Sequence, residues 1–421
     1  FLSLKDDTEL VEWSARVAEI DDEIGVGANG STARLEAERE ELQSMIEAHP
    51  LRDRRWASNN SIFARTGMDY TATADMTAKN GEPGYIWLDT MRAYGRLADP
   101  PNWIDDDVDG TNPCGEQSLV SFETCNLVET YPSRHANYEE FEQTLKYAYL
   151  YAKTVTLVPT HNARTNQVMM HKRRIGLSQS GIVESFARHG RRQHFSWCDQ
   201  GYKYTERLDR QYSKWLCVPA SAKKTSVKPS GTVSLLPGVT PGIHYAHSEY
   251  YIRRIRFGFD STLIPAFQAA GYKVETDSYV PNTWVVEFPI HEEFFEAGKE
   301  DVSIWEQLEN AAQMQHYWAD NQVSVTVTFK PEEAPQIRRA LELYETRLKS
   351  VSFLPLDVSS YVQAPYETIT REQFDAMTAL ITPFTFGNEA KHEVTELYCS
   401  NDSCEIRPVG AVTVPEVEVI G

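Results

Sequence analysis

Two kinds of apolar periodicity alternate along the chain and predict a mixture of strands and helices. Strict alternation of apolar and polar residues over 323–329 predicts a strand with one buried face. Other short runs rich in β-branched and aromatic residues predict strands as well. These runs cover 56–62, 84–88, 225–227 and 284–288.

Helical periodicity fills much of the sequence between these runs. Apolar residues recur at helical spacing in 138–153, 179–188, 303–317 and 331–349, and we predict helices there. Strands that alternate with helices are typical of the α/β class. We therefore expect a largely parallel sheet, either open or closed into a barrel.

The two ends of the chain differ from this middle part. Residues 1–50 are predicted to form two helical segments broken by a glycine-rich loop at 25–30, the second with an apolar stripe of Leu35, Leu42, Met45 and Ile46. Residues 396–421 are rich in Val, Pro and Glu and have no period, which predicts a mobile tail. The predicted organisation is a helical segment at 1–50, an α/β region at 51–395 and a tail.

The amino-acid composition predicts that the chain binds neither nucleic acid nor membrane. The chain has 421 residues and a formal net charge of −20, so its surface as a whole repels polyanions. No run approaches the roughly 20 apolar residues of a membrane helix, and the first residues show no signal core. A cytoplasmic location is expected. A phosphorylated ligand would need a local site, and the basic runs 171–174 and 253–256 are candidates.

The chain has six cysteines: Cys114, Cys125, Cys198, Cys217, Cys399 and Cys404. A structural zinc site usually needs two closely spaced pairs, and only Cys399 and Cys404 are close together. We therefore predict no metal site and favour redox chemistry for the cysteines.

The segment 111–116, with the sequence TNPCGE, has the most distinctive chemistry. In an extended loop, Asn112, Cys114 and Glu116 would project to one face with neighbours about 6–7 Å apart. Such a trio suits chemistry on a diol, because the carboxylate can take a hydroxyl proton and the amide can hold a hydroxyl while sulfur reacts between them. An isolated Asn-Pro-Cys would more often be a turn with an inert buried cysteine.

The residues around the trio favour the reactive interpretation. Segment 123–127 reads ETCNL, and the whole of 112–127 resembles the active-site loop of ribonucleotide reductases, particularly the adenosylcobalamin-dependent class II. Segments 55–61, 81–84 and 173–181 resemble other family motifs in the family's order. The resemblance implies an α/β fold, namely the later part of the family's ten-stranded barrel with a central finger loop, for residues 51–395.

The same resemblance implies a role for each residue of the loop. Cys114 would form the thiyl radical, Glu116 would deprotonate the 3′-hydroxyl of a ribonucleotide, and Asn112 would position the ribose. Cys125 would belong to the dithiol that delivers the two reducing electrons.

A hydroxyl-rich loop at 228–234, with the sequence KPSGTVS, is a candidate phosphate site. Backbone amides and hydroxyls at a turn can surround a phosphate without net positive charge, although such a sequence is also common in surface turns. It resembles the substrate-phosphate loop of the family. We assign the phosphates to Ser230, Gly231, Thr232, Val233 and Ser234.

Cys399 and Cys404 resemble the family's C-terminal shuttle dithiol, which passes oxidation to thioredoxin or a similar dithiol. Their place on a tail suits thiol exchange, whose rate depends on access. This sequence departs from the family pattern at Glu405, where the family often has proline, and in the length of chain that follows Cys404.

One requirement of the family is missing, since no cysteine precedes Cys114 to pair with Cys125. We therefore expect the N-terminal half of the reductase to be a second chain. The class II resemblance implies adenosylcobalamin as radical generator, with its contact residues unknown. The alternatives are a reductase that takes its radical from a separate metal subunit, and a non-catalytic regulatory relative that binds nucleotides.

Overall fold

The computed structural model describes residues 16, 17, 20, 32–48, 60–356 and 362–383. Within this part of the chain, no helix is long and apolar enough to cross a membrane. The motif at 55–61 lies largely outside the described residues, and Cys399, Cys404 and the rest of the predicted tail lie wholly outside them.

The described residues form both helices and strands. The helices are α1 (Thr32–Ala48), α2 (Thr71–Asn80), α3 (Leu88–Ala93), α4 (Tyr138–Val155), α5 (Ala163–Lys172), α6 (Ile182–His189), α7 (Arg191–Leu216), α8 (Ile264–Ala269), α9 (Ile304–Tyr317), α10 (Ile337–Tyr344) and α11 (Arg371–Thr378). The strands are β1 (Ser61–Phe63), β2 (Gly84–Ile86), β3 (Gly110–Thr111), β4 (Ser118–Leu119), β5 (Leu127–Thr130), β6 (Gly176–Gln179), β7 (Tyr250–Gly258), β8 (Val274–Thr276), β9 (Thr283–His291), β10 (Thr326–Phe329), β11 (Ser350–Pro355) and β12 (Tyr366–Thr368).

Side-chain caps fix the start of the two helices that the sequence predicted best. Asn137 accepts a hydrogen bond from the Glu140 amide at the start of α4, and Ser303 accepts one from the Glu306 amide at the start of α9. Such caps satisfy amides that have no partner within the helix. The predictions for 138–153 and 303–317 are confirmed.

Two other predicted helices are shorter than expected. Gln179 ends β6, and Gly181, with a φ of +68°, separates that strand from α6. A residue in the left-handed region interrupts regular structure, so the helix predicted for 179–188 begins only at Ile182. The helix predicted for 331–349 is confined to α10 after a short 3₁₀ turn, Ala334–Gln336.

Strands from distant parts of the sequence form one continuous array. β5 pairs with β6 in parallel, and parallel bridges link Leu177 to Thr225 and Val227 to Val323. The array continues through the parallel pair β10 and β11, crosses to β2 in the antiparallel sense, and ends with β1 parallel to β2. The predicted strand at 225–227 is thus a bridge segment.

A second sheet departs from the prediction of a largely parallel structure. Strands β12, β7, β9 and β8 pair in that order, all antiparallel. This sheet has its own small core, in which Phe257, Ile264, Phe267 and Val286 are buried. The long pairing of β7 with β9 was not predicted, because the sequence of β7 is rich in arginine.

The main core lies between the strand array and the helices α4, α7 and α9. Its largest fully buried side chains include Trp87, Tyr85, Phe141, Tyr149 and Trp318. Burial of aromatic side chains on this scale dominates the stability of a core. The N-terminal helix α1 is less buried than predicted, since of its expected stripe Leu35 is 7% exposed and Met45 is 38% exposed.

Candidate active site

A short hairpin carries the residues that the sequence singled out. β3 and β4 pair antiparallel, and the tip between them holds Asn112, Cys114 and Glu116. The tip is a tight turn, in which the Gly115 amide donates to the Asn112 carbonyl oxygen over 2.9 Å and Gly115 has a φ of +78°. The extended conformation assumed from the sequence is therefore wrong, because glycine allows the chain to turn here.

The turn gives the three side chains different environments. Asn112 is buried and its Oδ1 accepts the Gln117 amide over 2.9 Å, so it braces the turn. Glu116 is fully buried, whereas Cys114 is partly exposed. The Cys114 carbonyl oxygen accepts a hydrogen bond of 2.5 Å from the Ser324 hydroxyl, which fixes the hairpin tip to the strand array.

A lysine joins the thiol to the carboxylate. Lys228 Nζ lies 3.6 Å from Cys114 Sγ and 3.4 Å from Glu116 Oε1. The other carboxylate oxygen, Glu116 Oε2, is buried and has no hydrogen-bond partner among the described residues. The site therefore pairs a thiol with a carboxylate that has an oxygen available for a further proton donor.

Cys125 belongs to the same electrostatic environment. Its side chain is exposed, yet the surrounding protein raises its pKa to about 12, and the negative charge of Glu116 adds to the effect while Lys228 opposes it. Neither Cys114 nor Cys125 is in a disulfide. Cys125 therefore interacts electrostatically with Glu116, Lys228 and Cys114, and its redox role stays a prediction.

The proposed phosphate loop begins directly at Lys228. Ser230, Gly231 and Ser234 are buried and Thr232 is exposed. Val233 begins a 3₁₀ turn, and the Arg253 guanidinium donates to the Gly231 carbonyl oxygen over 3.3 Å. The loop thus combines an exposed hydroxyl with a nearby cation.

Two serines of this loop differ in whether their hydroxyl groups have a hydrogen-bond partner among the described residues. Ser230 has a φ of +51° and donates its hydroxyl to Glu129 Oε2 over 2.7 Å, so that hydroxyl is engaged by protein. Ser234 is 1% exposed, and its hydroxyl has no partner among the described residues. A buried hydroxyl without a partner is costly unless a ligand or water satisfies it.

Glu129 holds the start of the phosphate loop through hydrogen bonds from serines in β6, directly after β6 and in the loop itself. Ser178 and Ser180 donate to its Oε1 over 3.1 Å and 2.7 Å. Ser178 also accepts the Lys228 amide over 2.8 Å. Burial raises the pKa of Glu129 to about 7, although the serine hydroxyls oppose that rise. No sequence motif marks Glu129, because its role depends on contacts with distant segments.

A buried ion network fixes the base of the hairpin. Arg174 is fully buried and binds Asp105 over 2.6 Å and Glu123 over 2.9 Å. Lys223 adds contacts of 3.0 Å to Asp105 and to the Ser118 hydroxyl in β4. Burial opposes ionisation of Asp105, but Lys223 and Arg174 outweigh it and hold the pKa of that carboxyl well below its ordinary value.

Comparison with known proteins places this geometry in a family. No family model matches the chain. The chain is 46% identical over 359 residues to a probable adenosylcobalamin-dependent ribonucleoside-triphosphate reductase of Dictyostelium discoideum, a match of 83% of this chain and 47% of the relative. The corresponding reductase of Euglena gracilis is 45% identical over 83% of this chain and 49% of its own length.

A solved structure agrees with these relatives. The crystal structure of a B12-dependent (class II) ribonucleotide reductase superimposes with a TM-score of 0.75 at 36% identity, covering 82% of this chain and 53% of that one. The chain is homologous to the class II ribonucleotide reductases. It spans about half the length of the curated relatives it matches. The predicted family and the predicted α/β fold class are confirmed.

The reductase homology leaves the individual site residues as predictions, and the structure shows which of them meet. Cys114, Glu116 and Cys125 share one electrostatic environment with Lys228, a residue whose side chain the sequence argument had not used. The phosphate loop adjoins this group through Lys228. The shuttle residues Cys399 and Cys404 lie outside the described residues.

The basic runs proposed as phosphate sites mostly serve the reductase fold. In the run 171–174, Arg174 belongs to the buried network under the hairpin. In the run 253–256, Arg254 pairs with Glu287 and Arg256 with Asp277. Only Arg253 in the second run reaches the phosphate loop, so a run of charges was a poor guide to the ligand site.

The remaining described cysteines are separate from the active site. Cys198 is fully buried, 3.4 Å from His194 Nε2, and Cys217 ends α7 in the left-handed conformation. Burial raises the pKa of Cys198 to about 12 and lowers that of His194 to about 3, so this pair is neutral and packs as core. Within the described residues, no group of three or more His, Cys, Asp and Glu side chains could hold a metal.

Proposed function

We propose that this chain carries the active-site part of a class II ribonucleotide reductase that converts a ribonucleoside triphosphate to the 2′-deoxyribonucleotide. The observation that carries the proposal is the cluster of the Cys114 thiol, the buried Glu116 carboxylate and Cys125 around Lys228. The relatives are named as triphosphate reductases, which favours a triphosphate over a diphosphate. A non-catalytic relative would have no need of this cluster.

Each residue of the hairpin tip has a role that its surroundings support. The Cys114 thiyl takes a hydrogen atom from the ribose, and Glu116 accepts the 3′-hydroxyl proton. The buried Oε2 of Glu116 has no partner among the described residues and is therefore free to accept that proton. Asn112 is held by the turn, and its amide group can donate to a ribose hydroxyl.

When bound, adenosylcobalamin would supply the radical chemistry that converts the Cys114 thiol to a thiyl. The side chain of Cys114 is partly exposed, so a cofactor placed against the hairpin tip can reach the sulfur. The relatives and the solved neighbour are named as B12-dependent enzymes, which supports this cofactor over a separate metal subunit.

The two electrons come from thiols. In the net reaction a C2′–OH bond is replaced by C2′–H, the oxygen leaves as water, and two thiols become a disulfide. Cys125 is one of these thiols, and its partner must come within about 7 Å, measured between Cα atoms. Cys114 is needed for the radical and Cys198 is sealed in the core, so neither suits.

We propose that the partner cysteine belongs to the N-terminal half of the reductase. Cys399 and Cys404 then reduce the active-site disulfide and pass oxidation to thioredoxin or a similar dithiol. The triphosphate lies on the loop 230–234, with Ser234 and Thr232 as hydroxyl donors and Arg253 nearby. A cytoplasmic location stays a prediction.

The test is Cys114→Ser in the assembled enzyme, assayed with adenosylcobalamin, a ribonucleoside triphosphate and a dithiol. We expect deoxynucleotide formation to be lost while nucleotide binding stays near normal, because a hydroxyl cannot replace the thiyl as hydrogen-atom abstractor. Cys217→Ser, which removes an exposed cysteine at the end of α7, is the matched control. Turnover by Cys114→Ser within a few-fold of the control would refute the proposal.

A further inference from the structure

Lys228 lies where an ammonium group changes the chemistry of its neighbours. Its Nζ contacts the reacting sulfur of Cys114 over 3.6 Å and the proton acceptor Glu116 over 3.4 Å. The Lys228 side chain is 29% exposed, whereas that of Glu116 is fully buried. At short range and with little solvent between the groups, a full positive charge interacts strongly with both neighbours.

The groups that face this ammonium are mostly acidic. The carboxylates of Glu116 and Glu129 and the thiols of Cys114 and Cys125 all interact with Lys228. Burial lowers the pKa of Lys228, but Glu116 and the two thiols outweigh burial and hold that pKa above its ordinary value. Lys228 therefore stays charged through the neutral range.

The backbone of Lys228 ties this charge to the phosphate loop. Its amide donates to the Ser178 hydroxyl over 2.8 Å, and Ser178 in turn donates to Glu129. The Ser230 hydroxyl donates to the same carboxyl group. The segment that opens the phosphate loop therefore also sets the position of the Lys228 side chain between the thiol and the carboxylate.

We propose that Lys228 is a further catalytic residue, whose positive charge lies against the Glu116 carboxylate that accepts the proton and holds the Cys114 sulfur beside it. The ammonium keeps all its protons, and the hydroxyl proton of the substrate passes to Glu116. The segment that carries Lys228 also begins the phosphate loop. A nucleotide bound to that loop would therefore influence the position of the Lys228 ammonium group. The catalytic meaning of this inference rests on the proposed function.

Thiol reactivity distinguishes a charge that acts on sulfur from an ion pair that merely stabilises the fold. The thiolate is the nucleophile toward iodoacetamide, so a nearby positive charge raises the alkylation rate at a given pH and a negative charge lowers it. The experiment measures alkylation of Cys114 and Cys125 in the protein between pH 6 and pH 10, with peptide mass spectrometry to resolve the two sites.

The variants are Lys228→Met, which removes the charge, Lys228→Arg, which restores it, and Glu116→Gln, which removes the opposing charge. Lys203→Met is the control, because Lys203 is exposed and, within the described part of the chain, pairs with Asp199 on the same helix. We expect Lys228→Met to slow Cys114 alkylation at pH 8 about three- to tenfold, Lys228→Arg to restore most of the rate, and Glu116→Gln to accelerate it.

Unchanged Cys114 alkylation in Lys228→Met, with Lys203→Met also unchanged, would overturn the inference. A change in the same direction in Lys228→Met and Glu116→Gln would overturn it as well, because loss of packing would then explain both. If Lys228→Met does not fold, Glu116→Gln decides alone, since a rate that fails to rise contradicts the charge balance. None of these readouts needs turnover, so a failure of the proposed function would appear separately, in the Cys114→Ser assay.

Discussion

At the scale of single residues, Glu129 makes the stability of the protein depend on pH. Burial raises the pKa of its carboxyl group from 4.5 to about 7, against the hydrogen bonds from Ser180, Ser230 and Ser178. A carboxyl whose pKa is higher in the folded state favours folding while it is protonated. Its contribution is therefore complete below about pH 4.5 and is lost as the pH rises through about 7.

We predict that Glu129→Gln flattens this part of the pH dependence. The amide stays neutral at every pH and keeps an oxygen for the serine donors. The free energy of unfolding, measured by urea denaturation, should fall between pH 5 and pH 8 by roughly 1–3 kcal/mol less in Glu129→Gln than in the parent protein. Glu184, whose pKa is also raised to about 7, is present in both proteins and cancels in the comparison. Identical pH profiles would contradict the assigned environment of Glu129.

The sequence predicted the candidate reacting residues but not the side chains that contact them. Asn112, Cys114 and Glu116 belong to a compact motif, so their association could be predicted without a fold. Lys228 and Glu129 act through contacts between segments far apart in the sequence. No local pattern marks such a contact, because it depends on how the strands carrying these segments pair.

At the scale of elements, the active-site hairpin depends on the buried network at its base. Asp105 balances Arg174 and Lys223, both of which are almost completely buried. Removing one partner of a buried ion pair leaves an uncompensated charge in a medium of low polarity.

We predict that Asp105→Asn destabilises the protein by about 3–5 kcal/mol, measured as the free energy of unfolding in urea. Asp109→Asn is the control, because Asp109 lies in the same segment and is exposed. The control should change stability by no more than about 0.5 kcal/mol. Equal effects of the two substitutions would show that the network contributes little.

A glycine governs the close approach of two loops at the phosphate site. Gly242 has a φ of +53°, and a Cβ atom there would lie 2.3 Å from the Lys228 carbonyl oxygen. Gly67 also has a positive φ, of +78°, but a Cβ atom there would meet nothing within 4 Å. The two glycines share the backbone requirement, and only Gly242 has the steric one.

We predict that Gly242→Ala lowers the free energy of unfolding by more than Gly67→Ala does. Left-handed backbone costs alanine about 1–2 kcal/mol at either position, and the contact with the Lys228 carbonyl oxygen adds to this at Gly242. Thermal or urea unfolding of both variants measures the difference. A larger loss in Gly67→Ala would show that the loop at Gly242 yields readily.

Element boundaries illustrate what local sequence can and cannot determine. α4 and α9 were predicted almost to the residue because an apolar stripe and a side-chain cap coincide. The longest helix, α7, was missed because charged and polar residues dominate its sequence. The antiparallel sheet was missed both because β7 is rich in arginine and because strand pairing depends on residues distant in the sequence.

At the scale of the whole molecule, the strand array and the second sheet have separate cores, and the phosphate loop contacts strands of both. Arg253 of β7 reaches the Gly231 carbonyl oxygen, so the antiparallel sheet contacts the loop that begins at Lys228. The sequence predicted the fold class and family, and the match to the relatives covers about half of their length.

The complete burial of Cys198 has a practical consequence, because the rate at which a reagent labels this thiol reports how readily the main core opens. Cys198 is fully buried in the main core, whereas Cys217 at the end of the same helix is exposed. A reagent can reach Cys198 only when the protein opens, so its labelling rate reports the free energy of that opening. We predict that Cys217 is labelled at once in native buffer and Cys198 only slowly, with a rate that climbs with urea in step with global unfolding. Equal rates at the two sites would mean that α7 leaves the core far more easily than its packing indicates. Peptide mass spectrometry of a single labelled sample would therefore give both the alkylation rates of the exposed thiols and the free energy of core opening.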